Sequence, residues 1–157
     1  MGRTRDVDLT VLTRFGREGP YIDALLSAYQ SRIEGAGEFA HRHRVLLLRT
    51  PSALGIDISL GALPFEESVV GRTTAFSFGP GLDIRTCSAE DLVVLKLLAS
   101  RPLDIRDAEG VVLRRGERLD WGYIETQLHP LAKVKGEPEI LRTLARLKRL
   151  KIGFIVY

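Results

Sequence analysis

Between Asp6 and Thr13 the chain reads Asp-Val-Asp-Leu-Thr-Val-Leu-Thr, and this stretch constrains the fold more than any other. Polar and apolar residues alternate and β-branched side chains are frequent, the period-2 signature of a half-buried strand. Asp6 and Asp8 therefore share one strand face, roughly 6.6 Å apart at about 3.3 Å per residue. Two carboxylates at that separation can share a divalent cation, because hard oxygen ligands suit magnesium and the metal relieves their mutual repulsion. Asp-x-Asp is also common on a solvated strand edge. The pair acquires chemical meaning only if a third acid and a phosphate-binding cation accompany it.

The remaining chain has to supply the core. At 157 residues it is long enough for one domain that buries about 70% of its unfolded surface. A net charge of +3 with a pI near 9.2 permits a polyanionic partner such as RNA or a nucleotide without requiring one. No apolar run long enough to span a membrane occurs, and Met-Gly-Arg-Thr-Arg-Asp at the start has no signal-peptide character, so a cytoplasmic protein is expected. Cys87, the single cysteine, has no internal disulfide partner and reads as a small buried filler between Thr86 and Ser88.

After a turn-rich loop, Pro20 suits the first position of a helix over Tyr21 to Ile33, which Gly35 and Gly37 end. Val45 to Leu48 and Ile56 to Leu60 flank Pro51-Ser-Ala-Leu-Gly55 and predict a β-hairpin. Asp57 alternates with Ile56 and Ile58 and so faces away from both. A carboxylate in so apolar a strand is costly unless paired, metal-bound or turned to solvent, which makes Asp57 the candidate third acid. A short helix over Leu63 to Val70 follows, then a second hairpin, Thr73 to Phe78 and Leu82 to Thr86, around Gly79-Pro-Gly81.

Ser88-Ala-Glu-Asp91 resembles a capping box opening a helix that Leu92, Val93, Leu95, Leu97, Leu98 and Ala99 make apolar around most of its circumference. Lys96 is the cation within it and must either snorkel or meet an anion. Beyond Arg101-Pro102 a further helix places Arg101, Asp104 and Asp107 near one face, most simply as a structural ion-pair ladder. Asp120 caps a short helix running to Gln127, and Glu137 to Lys151 forms an amphipathic helix carrying Arg142, Arg146, Lys148, Arg149 and Lys151. That basic face is either simply solvated or an RNA-binding surface. The apolar segment Gly153 to Tyr157 is expected to add a strand or dock on the core. The order predicts an α/β (α+β) domain over 1–157, with an acid-bearing sheet-rich half over 1–87 and a mainly helical half over 88–157.

Taken together, Arg3-Thr-Arg-Asp-Val-Asp-Leu9, Gly55-Ile-Asp-Ile-Ser-Leu60 and Ser88-Ala-Glu-Asp-Leu-Val-Val-Leu-Lys-Leu-Leu-Ala-Ser-Arg-Pro-Leu-Asp-Ile-Arg-Asp107 resemble the bacterial nucleotidyltransferases of the AbiEii-like toxin group. The resemblance implies a small mixed sheet with helices packed on it and Mg2+-dependent transfer of an NMP from an NTP to an acceptor hydroxyl on tRNA, a protein or a small molecule. It also implies a toxin–antitoxin setting with an antitoxin partner. By residue, Asp6 and Asp8 match the metal-binding pair, and Asp57 matches the third acid, which also activates the attacking hydroxyl. Lys96 matches a lysine approaching the nucleotide phosphates. Thr4 and Arg101 would help bind the nucleotide, while Asp104 and Asp107 complete the last motif and brace the site.

One element of the resemblance is missing. Relatives place a helix and a strand ending in a Gly-Gly or Gly-Ser turn ahead of the Asp-x-Asp strand, and the residues before Asp6 do not supply them. The expectations are a shortened chain, an element donated by a partner, or a catalytically inactive relic acting as a binding module. Each leaves the Asp6 to Thr13 edge open to homo-oligomerisation. A plain RNA-binding protein is a third functional reading.

Overall fold

The computed structural model describes residues 6–150. They form an α+β protein that divides into two compact units, Met1–Gly71 and Arg72–Tyr157. The first contains β1 (Asp6–Leu12), α1 (Gly19–Ala28), β2 (Gln30–Ser31), α2 (Ala36–His43), β3 (Val45–Arg49), β4 (Gly55–Gly61) and α3 (Pro64–Gly71). Its sheet runs β1-β4-β3-β2. β1 is parallel to β4, whereas β3 and β4 form the predicted antiparallel hairpin.

Alternation along the strands gives this sheet two chemically distinct faces. Leu46, Leu48, Ile56, Ile58 and Leu60 are buried on one face against Ile22 of α1 and Ala40 of α2. Their neighbours Leu47, Asp57 and Ser59 point to the opposite face, together with Asp6, Asp8 and Thr10 of β1. Asp57 thus faces away from its isoleucine neighbours because the pleat allows nothing else once those isoleucines enter the core.

The helix predicted over Tyr21 to Ile33 is shorter than its periodicity indicates. Tyr29 takes an extended backbone, φ −130° and ψ 148°, which carries the chain into β2. Gly35, read as a helix stop, instead precedes α2 in the left-handed conformation at φ 61°. No apolar stripe announces α2: Ala36 and Ala40 are its buried residues.

The second unit contains β5 (Thr74–Ser77) and β6 (Asp83–Thr86), paired as the predicted second hairpin, followed by α4 (Ala89–Ala99), α5 (Pro102–Arg115), α6 (Trp121–Lys135) and α7 (Glu139–Leu150). The Ser88 hydroxyl accepts from the Asp91 amide at 3.0 Å and donates to Asp91 Oδ2 at 2.8 Å, so the predicted cap is present. Val93, Val94 and Leu97 of α4 are fully buried, as are Ala108 and Val112 of α5, Ile124 and Leu128 of α6, and Leu147 of α7. α6 runs past Gln127 and through Pro130. An internal proline costs about 3 kcal/mol, and the buried stripe Ile124, Leu128 and Ala132 spans that position and offsets it. None of the described helices is long and apolar enough to cross a membrane. Thr4 and the segment Gly153 to Tyr157 lie outside the described residues.

Candidate functional site

The parallel register of β1 and β4 places Asp8 directly beside Asp57 and Asp6 beside Gly55. Neighbouring strands lie about 4.8 Å apart, so three carboxylates occupy one corner of the polar sheet face. Like charges directly opposite each other destabilise a sheet, and a cation from a different element moderates the repulsion. Arg32, immediately after β2, donates its backbone amide to the Leu47 carbonyl at 2.9 Å. Its guanidinium then reaches across the hairpin, hydrogen-bonds Asp57 Oδ1 and lies 3.5 Å from Asp6 Oδ1.

Gly55 makes this arrangement possible. A Cβ at Gly55 would collide with the Asp6 carboxylate and would lie 3.2 Å from Arg32 Nη1. Only glycine lets Asp6 fold inward over β4 to meet the guanidinium. Among the described residues Asp8 has no ion-pair partner, so the acid corner carries more negative charge than Arg32 neutralises.

By donor chemistry these residues fit a hard divalent cation: they offer three carboxylates on adjacent strands with solvent access. As they stand, no three His, Cys, Asp or Glu side chains among the described residues are gathered closely enough to hold a metal ion. Arg32 takes the position between Asp6 and Asp57 that a cation would share.

Lys96 and Arg101 belong to the second unit and form their own cluster. Lys96 Nζ lies 3.2 Å from Asp104 Oδ1 and 3.1 Å from Asp107 Oδ2. Burial disfavours its ammonium, but hydrogen bonds to Asp107 and Asp104, together with their charges, outweigh burial and raise its pKa. Asp104, 2% exposed, also receives Arg101 Nε at 2.5 Å. Burial raises its pKa, yet Arg101 and Lys96 prevail and hold it below the ordinary carboxylate value. Lys96 thus meets anions rather than snorkelling, and Arg101 and Asp107 complete the predicted ion-pair ladder.

Asp91, fully buried, is satisfied by the Tyr123 hydroxyl at 2.6 Å, by Ser88 and by Arg72. On α7, Arg142 pairs with Glu139, while Arg146 lies 2.6 Å from Glu109 and Lys148 2.7 Å from Glu125. Much of the basic face is therefore tied to acids within the same unit. Cys87 is half-buried, and burial followed by the Asp91 charge pushes its thiol pKa up, as expected for an unreactive filler.

Arg32 and Gly55 join the site without a motif of their own: local periodicity puts Arg32 in a helix and Gly55 at the end of a turn, and only the register connects them to the acids. Compared with known protein families and with curated proteins, the chain matches none.

Proposed function

We propose that the chain is a metal-dependent nucleotidyltransferase whose catalytic carboxylates are Asp6, Asp8 and Asp57. The observation that carries this reading is the parallel register that sets Asp8 against Asp57 with Asp6 one pleat away. Magnesium bound there would lower the pKa of an acceptor hydroxyl and neutralise charge on the departing pyrophosphate. Asp6, Asp8 and Asp57 would hold the cation, and Asp57 would also accept the proton of the attacking hydroxyl. Arg32 must leave Asp57 before that carboxylate can do either. The acceptor is a hydroxyl of tRNA, a protein or a small molecule, in a cytoplasmic toxin whose partner is an antitoxin.

A second reading is supported by Arg32 itself. A guanidinium already bridging two of the three acids resembles the internal counter-ion of a non-catalytic binding module. Incubation with radiolabelled NTPs, Mg2+ and total tRNA separates the two. The transferase labels an acceptor and Asp8→Asn abolishes the label. Absence of labelling from all nucleotides, together with no magnesium-dependent shift in melting temperature, favours the binding module.

A further inference from the structure

Beyond Asp57 the polar sheet face leads into a hollow. Ser59 lies two residues along β4, about 6.6 Å further on, and pairs with Val45 of β3 and Thr10 of β1. Ser59 and Val45 form the floor of a cavity of about 320 Å³, walled by Phe15, Arg44, Leu63 and Glu66. That volume is at the small end of the range for small-molecule sites.

The wall residues are individually suited to a flat heterocycle. Phe15 is 64% exposed and is bracketed by left-handed backbone at Arg14 and Gly16. One side of its ring rests on the Arg44 guanidinium at 4.7 Å. Arg44 is itself fixed by hydrogen bonds to the Leu60 carbonyl and the Thr13 hydroxyl and by Glu18 at 3.4 Å. An anchored cation beneath an exposed aromatic ring forms a stacking platform.

Glu66 supplies directionality. Its Oε2 accepts the Ala62 and Leu63 amides, each at 2.8 Å, which fixes the side chain at the start of α3. Among the described residues neither Glu66 Oε1 nor the Ser59 hydroxyl has a hydrogen-bond partner. A fixed acceptor lining the same cavity as a free hydroxyl favours a ring with an exocyclic amine over one presenting a carbonyl to that acceptor.

We propose that this hollow binds the base of a nucleoside, stacked on Phe15 and read by Glu66, and that it selects amine-bearing bases such as cytosine over uracil. This names the base subsite of the nucleotidyltransferase reading. The base lies at Ser59, and the phosphates run along the strand toward Asp8 and Asp57.

Titration of the full chain with cytidine and uridine, without metal, followed by ligand-observed NMR, tests the subsite independently of any transfer reaction. Cytidine is expected to bind at least about tenfold more tightly than uridine, and Phe15→Ala to weaken cytidine about tenfold by removing the stack. Glu66→Gln keeps an oxygen for the Ala62 and Leu63 amides but turns an NH2 toward the hollow, so the preference should reverse to uridine. Equal affinities for the two nucleosides in both wild type and Glu66→Gln, or an unchanged Phe15→Ala, overturn the proposal. If nucleosides bind with the predicted order while no NTP labels an acceptor, the subsite stands and the transferase reading falls.

Discussion

Asp6 folds its carboxylate across Gly55, its partner in the parallel ladder, into the space that a Cβ at Gly55 would occupy. The methyl group of Gly55→Ala would meet only the movable ends of the Asp6 and Arg32 side chains, so Asp6 swings away and the backbone stays in place. Stability should change by no more than about 0.5 kcal/mol. Divalent-ion affinity, read by Mn2+ binding, should fall about tenfold because one ligand is misdirected. Unchanged Mn2+ affinity would remove Asp6 from the metal set.

Arg32 bridges Asp6 and Asp57 and competes with any cation for them. In Arg32→Gln the carboxylates repel one another without a counter-ion. Because the pair is partly exposed, the loss in metal-free stability should be at most about 1 kcal/mol. Mn2+ should then bind more tightly than to wild type and restore the melting temperature by mass action. Weaker Mn2+ binding in Arg32→Gln, or none, would show that the guanidinium is not a competitor.

How far the sequence reveals this site depends on the distance over which each signal acts. The face of Asp6, Asp8 and Asp57 follows from period-2 alternation, a local property, and so do the β3–β4 hairpin and the Ser88 cap. Arg32 depends on where the chain leaves α1, and Tyr29 leaves it earlier than the recurrence of Leu25, Leu26, Tyr29 and Ile33 implies. The fit of Gly55 depends on pairing across many residues, which no local pattern encodes. α2 leaves no periodic signal because alanine buries its face without an apolar stripe, and α6 outruns its local pattern because Pro130 interrupts it while the buried stripe continues.

Lys96 and Asp104 give the second unit a pH signature with two limbs. The pKa of Asp104 is lower in the folded state, so its contribution is complete above the unfolded value of about 4 and is lost as pH falls through the folded value. That of Lys96 is raised, so its contribution is complete below about pH 10.4 and is lost as pH rises through the higher folded value. Lys96→Met leaves the buried Asp104 with Arg101 alone and should cost about 2 kcal/mol at neutral pH. Asp104→Asn should flatten the acid limb and reduce the alkaline one, since Lys96 keeps Asp107. Denaturant titrations between pH 3 and 11, roughly the range spanning both ordinary values, test both limbs; a wild-type-like acid limb in Asp104→Asn would exclude this carboxylate as its source.

Among the described residues β1 has a partner strand on the β4 side alone. Among the described residues none pairs with its outer edge, and Val7 and Leu9, on the face opposite the acids, remain 39% and 44% exposed. An open, apolar edge is a template for pairing with a second chain. Light scattering across a wide concentration range is expected to show a mass rising from monomer toward dimer. Leu9→Lys places a charge on that edge without touching Asp6 or Asp8, because Leu9 points to the other face. It should hold the protein monomeric while leaving Mn2+ binding intact. A strictly monomeric wild type at every concentration would mean that the edge is not used for self-association, and loss of Mn2+ binding in Leu9→Lys would mean that pairing helps to build the acid corner.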